Sequence, residues 1–590
     1  MFLTLQMLAF SQLSVAIFDE LVPVFPDTVY SSSVGSSKES GSRKKTDTAI
    51  GLPTAIHAFV PAKDGDEVVV EFVRYMWVSP WNSADIEEDE TLAEGNYFEG
   101  GNTREGIPSL SISRLHTVPV EENTGLGSRT EQFEGKENPH VIRRAPFRVF
   151  DPIEPLENVA WGGGTKLLRV AAVAKEGGVG FRLQVSPEKA GTLTLAFDVR
   201  VGESAEKRSF QWEIKTHDVN LISRDDYGFN YTNWFSLHEI KERHGLVLWS
   251  EDFWAMLRKY AELMAYGGQD TFWLRWPDFF ALDEAGIWQL NTKRLKRYVN
   301  LFLESGFSWI EGAPIAGRPN GDWSTDWLRL SFSGVPATSE EGEAIIKGFA
   351  NEVSAVFLAN GWDKRWIQHL ADEPTDTNAD DYRKLSNIIR KHVPGIKIVE
   401  ATMTRSLAGA VDIWCPQVHK YQENRDFFLE RQKKGNKVWT YTCLTPGGPW
   451  LNRLLDQEHL RQVYFGWAGY RYGTQGFLHW GLNHYKADPF AQSVVDHPAA
   501  PNTTNKLPAG DTHVVYPGPD GPWSSIRFEA HRMGIEDYAM LKMLNELSTP
   551  IEVPGQANLF YSYDNWNADV SYYRQVRRGL MMALDSALVD

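Results

Sequence analysis

Trp366-Ile367-Gln368-His369-Leu370-Ala371-Asp372-Glu373-Pro374 is a short apolar run that ends in two adjacent carboxylates and a proline. Asn378 follows as a helix start, with Asp380 and Asp381 in the first turn, and that helix stops at Pro394-Gly395. A buried strand that passes through charged residues into a helix is the repeating unit of an α/β fold. The C-terminal ends of such strands are where an α/β barrel keeps its reactive groups.

The same rhythm repeats on both sides. After Arg224, strands read over 227–235, 271–276, 308–315, 366–371, 397–403, 412–418, 437–444 and 476–483, alternating with helices. Ser250 caps a helix that places Phe253, Trp254, Leu257, Ala261 and Met264 on one face and ends at Gly267-Gly268. Another runs from Thr292 to Glu304 and ends at Gly306. Thr338-Ser339-Glu340-Glu341 reads as a capping box for a helix running towards Gly361. Later helices read over 424–434, 456–472 and 524–544. Eight strands in this alternation predict a (β/α)8, TIM-like barrel with 366–371 as its fourth strand. A doubly wound open sheet is the rival, but no Gly-rich strand-loop-helix phosphate motif supports it.

Before residue 220 the period is two. Residues 67–78 are rich in β-branched and aromatic side chains, and residues 192–201 alternate as a half-buried strand does. Residues 82–106 and a Ser/Gly/Lys tract over 31–46 read as loops. This is the pattern of a β-sandwich. The expected organisation is a multidomain α and β protein: a β-sandwich over 1–222, a barrel over 223–545 and a helical extension over 546–590 packed on the barrel.

Composition narrows the chemistry. At 590 residues the chain exceeds what one hydrophobic core holds. Its 60 basic and 77 acidic residues give a net charge of −17, which speaks against phosphate backbones, so nucleic acid is not an expected partner. The 22 tryptophans supply flat faces on which sugar rings stack, although tryptophan is also ordinary core filling. Cys415 and Cys443 are too few for a disulfide framework or a cysteine-rich zinc site and read as buried thiols. Residues 1–18 are mostly apolar, but no basic residue precedes them and Asp19-Glu20 end the run, so a membrane span is not expected and a cytoplasmic location is favoured over secretion. The oligomeric state is not legible.

Barrel glycosidases commonly hold an acid/base carboxylate on one strand and a nucleophilic carboxylate on another, about 5 to 5.5 Å apart for retention. The strands at 437–444 and 476–483 carry no carboxylate. Substrate assistance removes the need for one. The carbonyl oxygen of a 2-acetamido group attacks the anomeric carbon, one carboxylate steadies the resulting oxazolinium ion, and its neighbour protonates the leaving oxygen and later activates water. Two neighbouring like charges also push their pKa values apart, which keeps one group protonated. Two other readings stand beside this one. The triplet Asp-Glu-Pro also suits a plain helix start, and His369, Asp372, Glu373 and Asp376 offer metal ligands, although no His-Glu-x-x-His or EF-hand spacing supports a metal.

Four segments in order resemble a known family: His369 to Pro374; Lys437-Val438-Trp439-Thr440-Tyr441-Thr442; Gly476-Phe477-Leu478-His479-Trp480-Gly481-Leu482-Asn483; and a tail of Val515-Tyr516-Pro517-Gly518, Ser525-Ile526-Arg527 and Arg532-Met533-Gly534-Ile535-Glu536-Asp537-Tyr538. Together they resemble glycoside hydrolase family 123, over residues 225–545 and only in general character before that. The resemblance implies a retaining β-N-acetylgalactosaminidase with an N-terminal β-sandwich and a catalytic barrel, acting on a glycan or glycolipid. It implies that Asp372 orients the acetamido group and Glu373 is the general acid/base. Tyr441 is then a candidate donor to the acetamido oxygen and Trp480 a candidate floor for the sugar, unless either is plain core. Asn233, Glu311, His419 and Asn483 lie near other strand ends and are candidates to read sugar hydroxyls. Arg527, Arg532, Glu536 and Asp537 read as surface or interdomain ion pairs. No cofactor or metal is called for. Specificity for N-acetylglucosamine, or a catalytically silent carbohydrate-binding protein on the same scaffold, are the rival functions.

Overall fold

The computed structural model describes residues 15–30, 43–78, 109–123, 132–157, 168–204, 206–282, 288–498 and 503–589. The loop expected over 82–106 lies outside them, as do residues 31–42. Residues 43–46, expected as the end of the separate loop over 31–46, instead begin the strand Arg43–Ala49. It is an edge strand whose Arg43 and Lys45 are held by Glu213 of the neighbouring strand, and charge of this kind disguises an edge strand in sequence.

Two sheets are built from the N-terminal part. One has five strands, in the order Arg43–Ala49, Lys207–His217, Gly191–Val201, Glu67–Val78, Arg169–Val173, with only the first pair parallel. The other is a seven-stranded antiparallel sheet, in the order Ala16–Asp19, Thr54–Pro61, Gly178–Ser186, Ser109–Val120, Phe147–Pro155, Gly521–Ser525, Tyr516–Gly518. Alternate residues of both, such as Ile56, Ala58 and Leu183 against Val70, Leu195 and Trp212, share one apolar cluster. The last two strands of the larger sheet come from the C-terminal part of the chain. They are short and glycine-containing, with no period-two pattern to announce them.

All eight strands expected after Arg224 are present and run parallel. They are labelled β1 (Asn230–Asn233), β2 (Thr271–Leu274), β3 (Trp309–Gly312), β4 (Trp366–Gln368), β5 (Lys397–Ala401), β6 (Ile413–Cys415), β7 (Lys437–Val438 and Thr440–Thr442) and β8 (Gly476–His479). Pairing follows chain order from β2 to the first half of β7, and the second half of β7 pairs with β8, which pairs with β1. The ladder does not close: β7 is interrupted at Trp439 and no ladder joins β1 to β2. Instead the Asp270 carboxylate accepts the Tyr231 N–H at 2.8 Å and the Asn230 amide at 3.0 Å, and one main-chain bond runs from Asp270 N to Tyr231 O at 3.2 Å.

The helices follow the sequence closely. They include α1 (Glu251–Tyr266), α2 (Thr292–Glu304), α3 (Glu340–Asn360), α4 (Ala379–His392), α5 (Leu460–Tyr472), α6 (Ile526–Asn545) and α7 (Val570–Val589). The Ser250 hydroxyl caps α1 by accepting the Phe253 N–H. The capping box expected before α3 is corrected by one residue: Ser339 is the cap and accepts the Gly342 N–H, so no Glu stands three positions on to return a bond. Gly361 ends α3 in the left-handed conformation, φ 69°. No helix among the described residues is long and apolar enough to cross a membrane.

Arg527, Arg532, Glu536 and Asp537, expected as surface or interdomain ion pairs, are buried, and the Arg527 pair reaches the N-terminal strand Phe147–Pro155. Each has partners that make this tolerable. Arg527 pairs with Asp151 at 2.9 Å, Arg532 with Glu529 at 3.0 Å, and Arg577 of α7 with both Glu536 (3.1 Å) and Asp537 (2.7 Å).

Candidate active site

β4 is buried throughout, and the chain leaves it through His369, Leu370 and Ala371, also buried, before emerging at Asp372. Glu400 on β5 fixes this exit. Its Oε2 accepts the N–H groups of Leu370 (3.0 Å) and Ala371 (3.1 Å) and the Tyr382 hydroxyl (2.7 Å). Its Oε1 meets His369 Nδ1 at 3.0 Å, while His369 Nε2 meets Glu311 Oε1 at 2.8 Å. Burial by itself would lower the imidazole, but its bonds to Glu311 and Glu400 and their charges win and push it up to about 10. The result is an imidazolium between two carboxylates, all fully buried. Glu311 is completed by the Thr232 hydroxyl (2.5 Å) and the Trp234 indole N–H (2.9 Å).

Beyond this anchor the chain turns sharply. Glu373 has φ 48°, a left-handed conformation that costs a non-glycine residue roughly 1–2 kcal/mol. Arg318 holds the turn, donating from Nη1 to the carbonyls of Asp372 (3.1 Å) and Glu373 (2.8 Å). From β7, the Tyr441 hydroxyl donates to Glu373 Oε1 at 2.5 Å and lies 3.5 Å from Met403 Sδ. Burial, then the charge of Glu373, push Tyr441 well above the ordinary phenol range, so it stays a donor.

Asp372 keeps an exposed face, so a ligand can reach it. The protein packed around the rest of the side chain, followed by the like charges of Glu373 and Glu400, raises its carboxyl to about 7, against the pull of His369 and Arg318. The pair therefore retains a proton near neutral pH.

The structure thus brings Asp372, Glu373 and Tyr441 together. Trp480 is half-buried, lies against the rings of His479 and His484, and packs on the apolar cluster of Ile367, Val399, Ala401, Cys415, Trp439 and Tyr441. The remaining candidates are placed otherwise. Asn233 is fully buried and bonds Tyr231, Gln269 and Arg453. Asn483 is fully buried and ties both main-chain groups of Ser236. Glu311 belongs to the His369 anchor. His419 lies edge-on to Trp450 in the helix Val418–Glu423. Of the residues offered as metal ligands, His369 is occupied by its carboxylates, and Asp376 accepts the hydroxyls of Thr404 and Ser406. Cys415 and Cys443 are buried free thiols, as expected.

Two contributors were not read from sequence. Glu400 had a signal, a lone carboxylate in the apolar strand Lys397–Ala401. Arg318 had none, since it lies in an irregular loop.

Residues 280–544 match the family model described as the glycoside hydrolase 123 catalytic domain. No curated protein matches the chain. Among solved structures, a family 123 glycoside hydrolase from Clostridium perfringens, studied for glycolipid glycan hydrolysis, matches with TM-score 0.65 and 14% identity over 98% of both chains. A β-glucuronidase from Parabacteroides merdae matches at TM-score 0.30 and 8% identity, over 84% of this chain and 51% of that one. An endo-β-1,4-mannanase from Thermotoga petrophila matches at 0.32 and 12%, over 56% and 80%. The first shares the fold from end to end.

Proposed function

This chain is a glycosidase with a family 123 glycoside hydrolase catalytic domain, and we propose that it releases terminal β-linked N-acetylgalactosamine from a glycan or glycolipid by substrate-assisted retention. One observation carries the mechanism: among the described residues, four other carboxylates near the strand ends are engaged or buried. Glu311 and Glu400 are locked on His369, Asp376 is held by two hydroxyls, and Asp511 is fully buried. None of these four is free to attack an anomeric carbon, whereas Asp372 is exposed and Glu373 half-buried where the chain leaves β4. The choice of sugar follows from the family likeness.

In the free protein the retained proton sits with Asp372, and Glu373 accepts the Tyr441 hydroxyl. When the acetamido N–H donates to Asp372, that carboxylate is stabilised as the anion and its proton passes to Glu373. Tyr441 turns to the acetamido oxygen. The oxygen attacks C1 as the C1–O bond breaks, and the Glu373 proton goes to the leaving oxygen. Asp372 stabilises the oxazolinium ion by accepting its N–H. Glu373, now a base, takes a proton from water, whose oxygen reopens the ring at C1. Trp480 lies under the sugar as its apolar floor.

For the scaffold we propose that the two parallel sheets form one (β/α)8 barrel. Asp270 bridges the gap in the ladder, and side chains of β4 to β8 meet in one inward apolar cluster. The two N-terminal sheets, around their shared core, are read as the β-sandwich.

A panel of chromogenic β-glycosides tests the function. Turnover of the N-acetylgalactosaminide, with galactoside and glucoside left intact, is expected. A comparable rate on the 2-hydroxy sugars would remove substrate assistance, and preference for the N-acetylglucosaminide would change the sugar alone.

A further inference from the structure

The larger N-terminal sheet carries a cavity of about 350 Å³ that the reaction leaves unused, and no residue of the candidate active site lines it. It lies over the strands Ser109–Val120 and Gly178–Ser186, which are neighbours in that sheet. Tyr30 lines it and packs against the second strand at a glycine: a Cβ on Gly178 would stand 2.4 Å from the Val60 carbonyl oxygen and 2.5 Å from the Tyr30 ring. Trp523 and Phe490 reach it from the segment that follows β8. Trp523 is held there by His116, stacked at 5.2 Å, and by Phe490, edge-on at 5.6 Å. The volume falls at the small end of ligand pockets, about 300–1,000 Å³, which suits a single ring and not a long chain.

Charge selects the ligand. Arg114 and Lys175 both line the cavity, and neither has a carboxylate within ion-pair distance among the described residues. Arg114 spends one donor on the Val173 carbonyl at 2.7 Å, and Lys175 is exposed. The other two basic side chains are engaged, Arg148 with Glu176 at 2.8 Å and His116 with Glu154 at 2.6 Å. In a chain of net charge −17, two such cations at one concavity make a seat for an anion. Glu176, fixed on the same rim by Arg148 and by the Thr117 hydroxyl at 2.6 Å, repels a bare phosphate but accepts hydroxyl groups. We propose that this cavity is a second, non-catalytic binding site for a carboxylated pyranose, the acidic sugar of a glycan. Its carboxylate meets Arg114 and Lys175, its hydroxyls meet Glu176, and its C–H face packs on the aromatic wall. The site does not depend on the reaction proposed above.

The test titrates the full chain, by saturation-transfer NMR, with methyl β-glucuronide and methyl α-N-acetylneuraminide as the two acidic sugars, and with methyl β-glucoside and inorganic phosphate as controls. At least one acidic sugar is expected to bind about tenfold or more tighter than either control. Arg114→Gln with Lys175→Gln should remove that advantage while the melting temperature holds, and Glu373→Gln should leave it intact, since the catalytic pair lies elsewhere. Should the double variant fold poorly, the exposed Lys175→Gln alone is read, and a severalfold loss is expected. The site is overturned if neither acidic sugar binds, if the glucoside or phosphate binds as tightly, if the charge variants bind as the wild type does, or if Glu373→Gln abolishes binding.

Discussion

At the scale of single residues, two neighbours in the chain have been given unequal surroundings. Glu373 faces the hydroxyl of Tyr441, and at Asp372 burial, followed by the like charges of Glu373 and Glu400, raises the carboxyl to about 7. Glu373→Gln should cut turnover of substrates with poor leaving groups by at least about 100-fold while the protein still folds, measured by steady-state kinetics beside a melting curve. The alkaline limb of kcat/KM should fall near pH 7, where the pair loses its retained proton. Stability follows the same group with a definite sign. The folded carboxyl is raised above its unfolded value, so the native state binds the extra proton and wild-type stability falls as pH rises from about 4 to 7. Asp372→Asn removes that term: its melting temperature should exceed the wild type's at pH 8, with the gap closing towards pH 4. A gap that does not depend on pH would contradict the assignment. The sequence made the pair visible because two carboxylates at a strand end have few structural uses. It hid Arg318, which contacts the pair only through main-chain carbonyls and so leaves no trace in spacing.

At the scale of elements, caps and breakers were legible because they act locally. Ser250, Thr292, Glu304 and Gly361 mark helix ends within a residue of where they fall. What sequence periodicity misses is contact between elements distant in the chain. Helices α5 and α6 cross so closely that a Cβ on Gly466 would stand 1.8 Å from the Gly534 carbonyl oxygen, and one on Gly534 would stand 2.4 Å from the Val463 oxygen. Backbone cannot yield there as a flexible side chain can. Gly466→Ala should therefore cost about 3 kcal/mol or more, read by denaturant unfolding, and a loss below about 1 kcal/mol would show the crossing to be looser. The His369 triad works in the same way for β3, β4 and β5. Its stabilisation is fully present below about pH 6.5, the unfolded imidazole's range, and is lost as pH climbs through about 10.

At the scale of the whole molecule, the N-terminal sheets and the parallel strands are fastened by charge as well as by apolar packing. Asp151 of the strand Phe147–Pro155 accepts the Arg527 guanidinium at 3.0 and 2.9 Å, and Arg182 of the larger sheet reaches Glu20 at 2.8 Å and Glu529 at 3.4 Å. With Gly521–Ser525 completing the larger sheet, the two regions should unfold together. Asp151→Ala, which strands Arg527, should cost about 3–5 kcal/mol within a single transition; two separate transitions in the wild-type protein would contradict this coupling. In the proposed mechanism that rigid frame serves to hold two carboxylates beside a substrate that supplies its own nucleophile. The most direct test of that claim is kcat/KM for aryl β-galactosaminides carrying N-acetyl, N-fluoroacetyl, N-difluoroacetyl and N-trifluoroacetyl groups. Each fluorine withdraws electrons from the attacking carbonyl oxygen, so the rate should fall steeply along the series; a flat series would mean that the acetamide does not attack and that the protein supplies the nucleophile itself.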